Sequence, residues 1–348
     1  MIELSERDQK VLEAVITGYL RTGEPVGSRT IAKHYGMKVS SATIRNVMAD
    51  LEEFGLLQQP YTSAGRIPTD KGLRFYLDSL IQLKKLKDQE RAQIRKVFEQ
   101  THGDLEELLK QTSRILSTYC KQAGVVFWPK AAAVRFKHIQ FVRLKPRQIL
   151  AILISKGGLV RHSLVEWDED ITQEDLDKYS QYVDELLENI PLSQVRQRIL
   201  EQMAAEKAAF DRLFTQALEI AQRAFQRALE SPDVYIEGQT NLLDNPEFAD
   251  IERLRKILKA FEDKSRLIRL LDMALKPQER VQIILGPESE VQELEEISLI
   301  SSTYSQGDTV LGVLGVIGPL RMDYSRIIPI VQYTAESLSE LLEEEACA

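Results

Sequence analysis

The sequence has 348 residues, of which 43% are hydrophobic and 28% are charged, a composition typical of a soluble globular protein with two or three domains. Its two cysteines, Cys120 and Cys347, lie far apart, which excludes a disulfide framework and the usual zinc spacings and fits a reducing compartment. The first residues lack the basic and apolar regions of a signal peptide, and no apolar run is long enough to cross a bilayer. We therefore expect a cytoplasmic protein with no membrane contact.

The charge is unevenly distributed along the chain. Residues 1–85 contain 12 lysines and arginines against 10 aspartates and glutamates, whereas the rest of the chain contains 33 against 43. A mildly basic segment on an acidic body suits a DNA-binding domain, although this pattern alone does not establish one.

The first predicted elements are three short helices. Ser5 is a candidate N-cap for the first helix, with Asp8 as its capping-box partner, and apolar residues at helical spacing extend to Leu20. Ser28 caps a short second helix that we expect to end at Gly36. Ser40 or Ser41 caps a third helix, which ends near residue 54.

A predicted strand, turn and strand follow. Residues 56–61 form the first strand, 62–66 the turn and 67–69 an edge strand in which Pro68 is tolerated. Thr69 or Asp70 then caps another helix. Three helices followed by a strand-turn-strand within about 85 residues predict a winged helix-turn-helix.

The remaining elements alternate between helix and strand. We predict helices at 104–121, 172–229, 251–275 and 324–344, and strands at 125–128, 138–144, 148–155, 159–167, 234–237, 281–285, 297–304 and 309–317. The highly charged residues 84–104 are expected to form a helical linker. The order predicts an α+β body in which one sheet is interrupted by a helical insertion.

The third helix has the pattern expected of a recognition helix. Its apolar stripe faces the core, and the opposite side presents Ala42, Asn46 and Ala49, flanked by Thr43 and Arg45. Small residues allow close approach to the groove floor, Asn46 matches adenine, and Arg45 matches guanine or a phosphate. The hydroxyls of Ser40, Ser41 and Thr43 and the free N–H groups at the helix start are suited to phosphates or base edges.

The wing and the helix after it supply further candidates. Ser63, Gly65 and Arg66 form a compact turn with one fixed positive charge, which suits a minor groove or a backbone phosphate. Lys71 and Arg74 are placed to reach phosphates from the next helix. These residues complete the candidate DNA-binding set.

Several segments of the chain resemble one known family. The similar segments are PVGSRT at 25–30, VSSATIRN at 39–46, MADLE at 48–52, TSAGRIPT at 62–69, GVLGVIGP at 312–319 and RMDY at 321–324. They look like the corresponding segments of the heat-inducible transcription repressor HrcA family, and the resemblance covers nearly the whole chain.

The resemblance implies a function and a domain plan. A member of this family represses chaperone operons by binding an inverted-repeat operator, CIRCE, as a homodimer. The GroE chaperonin keeps the repressor active, and heat releases repression when misfolded proteins occupy the chaperonin. The implied fold is an N-terminal winged helix-turn-helix plus a GAF-like α/β domain that a mainly helical dimerisation domain interrupts.

On this plan the chain divides into five segments. The boundaries that we predict are 1–85 for the winged helix, 86–104 for the helical linker, 105–170 and 236–348 for the two parts of the GAF-like domain, and 171–235 for the inserted dimerisation domain.

Other kinds of site have little support. The four histidines, His34, His102, His138 and His162, have no metal-ligand spacing, and nothing near Cys120 in sequence lowers its pKa. The glycines at 312, 315 and 318 lack the lysine of a phosphate loop, so we interpret them as positions where strands pack closely or bend. We expect no metal, no cofactor and no enzymatic activity.

Two further hypotheses remain open beside the repressor. A GAF-like body that senses a small molecule and gates DNA binding is the main alternative, which a copurifying ligand would favour. A winged helix that serves only as a protein-docking module is the other, and failure to bind any promoter fragment would favour it.

Overall fold

A computed structural model describes most of the chain. The described residues are 4–34, 39–62, 64–101, 105–128, 136–155, 160–188, 190, 192–206, 212–229, 233–243, 247, 251–275, 281–289, 295–307 and 309–347. The predicted helix stop at Gly36 and the predicted wing residue Ser63 lie outside these residues.

Residues 4–79, called the head below, contain four helices and a two-stranded wing. The elements are α1 (Glu6–Thr22), α2 (Ser28–His34), α3 (Ser41–Glu53), β1 (Leu57–Gln58), β2 (Ile67–Pro68) and α4 (Asp70–Ser79). This order confirms the predicted winged helix-turn-helix.

Side-chain caps set the helix starts in the head. Ser5 and Asp8 form the predicted reciprocal capping box at α1. Ser40, rather than Ser41, is the N-cap of α3, because its Oγ accepts a hydrogen bond from Thr43 N at 3.1 Å. Thr69 caps α4 in the same way through Gly72 N at 3.0 Å. Each cap satisfies a backbone N–H that has no partner within its helix.

The rest of the chain is the body. Its elements are α5 (Asp88–Gln100), α6 (Leu105–Cys120), β3 (Ala123–Trp128), β4 (Phe136–Lys145), β5 (Gln148–Ser155), β6 (Val160–Glu166), α7 (Gln173–Leu187), α8 (Leu192–Glu206), α9 (Arg212–Leu229), β7 (Asp233–Glu237), α10 (Ile251–Glu262), α11 (Lys264–Met273), β8 (Gln282–Leu285), β9 (Ile297–Gln306), β10 (Thr309–Pro319) and α12 (Tyr324–Cys347). Within the described ranges, none of the helices has the length and apolar character needed to cross a membrane.

Five antiparallel strands form the main sheet of the body, in the order β7-β3-β10-β9-β8. Successive residues of β3 belong to opposite cores: Val126 and Trp128 pack in the cluster that includes α6 and α12, whereas Val125 and Phe127 pack in the cluster with α10 and α11. Helices therefore cover both faces, which explains why β10 is almost continuously apolar and why β9 and β10 are largely buried.

The glycines of β10 have the packing role that the sequence predicted. A Cβ at Gly312 would lie 2.2 Å from the Phe127 carbonyl oxygen, and one at Gly315 would lie 2.2 Å from that of Ile300. A side chain at either position would push neighbouring strands apart.

The expectation of a single sheet is wrong. Strands β4, β5 and β6 form a separate antiparallel sheet, and α7 and α9 pack on it. Because β3 and β7 are neighbours in the main sheet, the chain leaves that sheet after β3 and returns at β7. The interrupting segment therefore includes three strands that the predicted boundary at residue 171 left in the GAF-like part. Strand alternation does not reveal which strands pair, so no local pattern predicts this split.

The helix at 88–100 is more than a linker. Ile94 and Phe98 of α5 are buried, and α5 packs against α6 and α12. Its exposed face carries the charges that made the segment look like a solvated connector.

Charged side chains join the head to the body at what we call the junction. Arg74 Nε donates to Glu288 Oε1 at 2.9 Å, and its Nη2 donates to the Ile283 carbonyl at 2.9 Å. Lys84, in the connector after α4, bonds through Nζ to Asp323 Oδ2 at 2.7 Å. Within the described residues, these contacts fix the head against β8 and fix the connector beside the start of α12.

Arg321 strengthens the junction from the body side. It forms an ion pair with Glu247, and its guanidinium lies 5.9 Å from the ring centroid of Tyr19 in α1. This distance is typical of a cation–π contact.

The backbone of the connector is also bound. Pro329 lies inside α12 and has no N–H, so the carbonyl of Ser325 lacks its usual donor within the helix. Lys84 N donates to that carbonyl at 2.9 Å.

Candidate nucleic-acid interface

The exposed face of α3 contains the predicted recognition residues. Ile44, Val47, Met48 and Leu51 are buried in the head, whereas Ala42, Arg45, Asn46 and Ala49 are exposed. The structure thus brings the predicted polar and small residues to one open surface. Its apolar stripe confirms the predicted inward face.

Arg45 and Asn46 have no side-chain hydrogen bond or ion pair among the residues that the structure describes. A guanidinium and an amide that the fold does not use are available for base edges. Neither is covered by the body, so both side chains can reach a DNA groove.

The hydroxyls at the start of α3 are partly engaged. Ser40 Oγ caps the helix and lies 2.9 Å from Thr43 Oγ1. Ser41 is half-buried, and no side-chain bond of it is found in the described residues. Ser41 and the first N–H groups of α3 are therefore better placed to meet a phosphate than Ser40 is.

The wing lies against the start of α2. Val26 and Arg66 exchange two backbone hydrogen bonds, of 2.9 and 3.0 Å. This antiparallel bridge joins the residue just before the second wing strand to the segment that precedes α2. A Cβ at Gly65 would lie 2.4 Å from the Val26 carbonyl. Glycine is required there because the two backbones approach so closely.

Arg66 is engaged within the head. Its Nη2 lies 2.8 Å from Glu52 Oε2, and its side chain is only 18% exposed. The other oxygen of Glu52 accepts a hydrogen bond from Gln59 N at 3.1 Å. Glu52, at the end of α3, therefore holds both sides of the wing.

The structure places Lys71 and Arg74 in structural contacts. Lys71 Nζ donates to the Phe54 carbonyl at the end of α3, at 3.0 Å. Arg74 belongs to the junction. Burial disfavours its charge, but the hydrogen bond and negative charge of Glu288 outweigh that effect and raise the pKa of the guanidinium.

The sequence reasoning missed several residues beside the recognition helix. Arg29 and Gln59 line the same cleft as Arg45, and Tyr61 in the wing is 63% exposed. Arg29 could have been found as a basic residue at the start of the helix that precedes the turn. No local sequence pattern indicates the role of Glu52, because its partners lie in the wing.

Other chemistry has little support in the described residues. No group of three or more histidine, cysteine, aspartate or glutamate side chains among them is arranged to hold a metal. Cys120 is buried as predicted, and burial raises the pKa of its thiol, which keeps the thiol protonated. His138 bonds to Asp184 between β4 and α7.

The fold and the open polar face of α3 define a winged-helix transcription regulator. Family models match most of the chain: the winged helix-turn-helix transcription repressor HrcA DNA-binding domain covers residues 3–79, and the HrcA C-terminal domain covers 106–328. The chain therefore belongs to the HrcA family of heat-inducible transcription repressors.

Individual relatives agree with this assignment. The chain is 64% identical to the heat-inducible transcription repressor HrcA of Syntrophobacter fumaroxidans, over 99% of both chains. It is 47% identical to that of Geobacter sulfurreducens, over 99% of this chain and 100% of the relative. A crystal structure of a hypothetical protein shares the fold, with a TM-score of 0.60 at 21% identity and coverage of 99% and 100%.

Proposed function

We propose that this protein acts in the cytoplasm as a homodimeric repressor of chaperone operons, and that it binds an inverted-repeat operator of the CIRCE type. The observation that carries this proposal is the open face of α3, on which Arg45 and Asn46 have no partner among the described residues. The names of its relatives as heat-inducible transcription repressors support the same role.

Recognition would follow from the two side chains. An amide at Asn46 matches the N6 and N7 positions of adenine, and a guanidinium at Arg45 matches the O6 and N7 positions of guanine. Ala42 and Ala49 beside them have no bulk to hold the helix away from the groove floor. A dimer would place two such helices on the two halves of an inverted repeat.

The segment between β3 and β7 is our candidate for the dimer contact, and it includes the unit predicted at 171–235. Exposed large apolar side chains on it support this choice: Leu144, Val160, Leu164 and Leu200. Apolar residues at an accessible surface favour association with another protein surface.

Heat release is proposed to follow chaperonin titration. The GroE chaperonin would keep the repressor in its folded state, and misfolded proteins would occupy the chaperonin during heat stress. A gel-shift assay on the promoter of the protein's own chaperone operon, with and without chaperonin, tests this regulation. Operator binding that does not respond to chaperonin would contradict it.

The recognition residues are tested by Asn46→Ala and Arg45→Ala in the full chain. Each lost bidentate contact costs about 1–3 kcal/mol. A dimer loses one contact in each half-site, so operator affinity is expected to fall roughly tenfold to a hundredfold per half-site and by about the square of that factor for the whole operator. The melting temperature should not change, because neither side chain contacts the core. Arg7→Ala, an exposed arginine on α1, is the matched control. Unchanged affinity in both variants would remove α3 from its role.

A further inference from the structure

A cleft of about 580 Å³ is lined by residues of the wing, of the start of α2 and of α3. The described residues that line it include three arginines and no carboxylate: Gly27, Ser28, Arg29, Arg45, Met48, Gln59, Ala64, Gly65 and Arg66. A cleft of this composition attracts an anion.

The three arginines differ in what they bind within the head. Arg29 and Arg45 are exposed, and neither has a side-chain partner among the described residues. Arg66 is paired with Glu52, whose carboxylate also holds Gln59 N. Two uncompensated positive charges therefore line the cleft, and the third is neutralised beside it.

Arg29 and Arg45 line the same cleft, and no carboxylate lines it among the described residues. An anion that enters the cleft would therefore be attracted by both guanidinium groups. Arg29 lies at the start of α2, outside the exposed face of α3 that would read bases. Its guanidinium is therefore suited to the sugar-phosphate backbone that flanks the bases.

The pair of Arg66 and Glu52 has a different consequence. The pair joins the end of α3 to the second wing strand, and the backbone of Arg66 joins that strand to Val26. These contacts fix the distance between the wing and α2, which are the two walls of the cleft. Breaking the pair would change the shape of the cleft without removing its unpaired charges.

We propose that this cleft binds a phosphodiester of the DNA backbone, with Arg29 as the phosphate-binding residue and the Arg66–Glu52 pair as a positioning element for the wing. The inference rests on the proposed function and adds a contact that carries no sequence information. A planar guanidinium can bind a phosphate through two parallel hydrogen bonds, which explains an arginine at this place.

The phosphate contact is tested by Arg29→Ala in the full chain. Fluorescence anisotropy would compare the operator duplex with a scrambled duplex of equal length, between about 50 and 200 mM salt. We expect affinity for both duplexes to fall about tenfold for each bound head, because a charge-assisted hydrogen bond is lost in each. The slope of log affinity against log salt should fall in magnitude by about one for each bound head.

Two controls accompany this variant. Arg29→Lys keeps the charge, so it should retain the salt slope while losing part of the affinity. Arg7→Ala should behave like the unmodified protein. A wild-type affinity and slope for Arg29→Ala would overturn the phosphate assignment, and so would an effect confined to the operator duplex.

The positioning element is tested by Arg66→Ala, Glu52→Gln and the double variant. Both single variants should weaken DNA binding and leave the salt slope unchanged. The double variant should bind DNA about as well as the single variant with the lower affinity, because the same contact is lost in all three. A reduced slope for Arg66→Ala alone would identify Arg66 as a phosphate ligand and overturn its positioning role.

The two proposals fail in different ways. If Asn46→Ala weakens operator binding while Arg29→Ala does not, the phosphate cleft is wrong and the recognition helix stands. If neither Asn46→Ala nor Arg45→Ala affects binding while Arg29→Ala does, the head binds DNA without the proposed base recognition.

Discussion

The cleft and the junction use the same residue type in opposite ways. Arg29 and Arg45 face the cleft without a partner in the described residues, whereas Arg74 and Arg321 at the junction are paired with Glu288 and Glu247. Arginines left uncompensated by the fold are available to an outside anion, and arginines already neutralised hold the head in place. The difference shows that charge identifies a DNA contact only when its partners are known.

The largest effect is expected for Gly65→Ala, which would disrupt one wall of the cleft. The added Cβ would meet the Val26 carbonyl at 2.4 Å, and relief of such a clash typically costs about 1–3 kcal/mol. The melting temperature of the protein and its affinity for the operator should both fall.

Gly27→Ala is the matched control for that variant, because it adds the same methyl group in the same cleft. Its nearest neighbour would be Thr30 Oγ1 at 3.9 Å, an ordinary contact, so stability should be nearly unchanged. Equal stability of the two variants would mean that the wing does not need its close approach to α2.

A smaller effect is expected for Glu288→Gln at the junction. This change keeps an acceptor for Leu285 N but removes the charge that compensates Arg74, whose side chain is only 29% exposed. We expect a loss of about 1 kcal/mol of unfolding free energy in chemical denaturation, with the salt dependence of DNA binding unaltered.

The comparable change at an exposed pair is Glu340→Gln, since Arg95 and Glu340 are 64% and 63% exposed. That variant should cost no more than a few tenths of a kcal/mol. If Glu288→Gln lowered the salt slope as Arg29→Ala is expected to do, the claim that the junction affects stability and the cleft affects DNA binding would be wrong.

The smallest effect concerns Asp323. Burial opposes the charge of this carboxylate, but hydrogen bonds from Lys84 and Ser325 outweigh burial, so its pKa lies below the usual value. A depressed pKa in the folded state stabilises the protein above the ordinary aspartate pKa of about 3.9 and loses that contribution as the pH falls further.

This pH dependence is measured as the stability difference between the unmodified protein and Asp323→Asn. The side chain is half-exposed, so the difference should be a few tenths of a kcal/mol at neutral pH and should shrink below about pH 4. A difference that grows on acidification would have the wrong sign for this account.

The head could be predicted from the sequence in detail because its signals are local. Caps at Ser5, Ser40 and Thr69 and the apolar stripe of α3 depend on residues three or four positions apart. The open face of α3 followed directly from that periodicity. The split into two sheets did not, because pairing of β3 with β7 joins residues about a hundred positions apart.

The candidate site was predicted only in part for the same reason. Arg29 and Arg74 are both basic residues near the start of a short helix, so sequence does not distinguish them. The residue that does is Glu288, which pairs with Arg74 and lies 214 residues from it. Likewise, nothing near Arg66 indicated its pairing with Glu52 across the wing. Local pattern located the interface, and long-range charge pairing decided which basic residues belong to it.

The proline in α12 affects which positions near the connector tolerate change. The Ser325 carbonyl that it frees is bound by the backbone N–H of Lys84, a group that every residue except proline carries. Substitution of the lysine side chain would thus remove the ion pair with Asp323 and leave the main-chain bond intact. Proline at position 84 would remove the N–H that donates to Ser325. Any other residue at position 329 would supply a competing N–H within α12. The hydrogen bond between the connector and α12 therefore requires proline at 329 and a residue other than proline at 84.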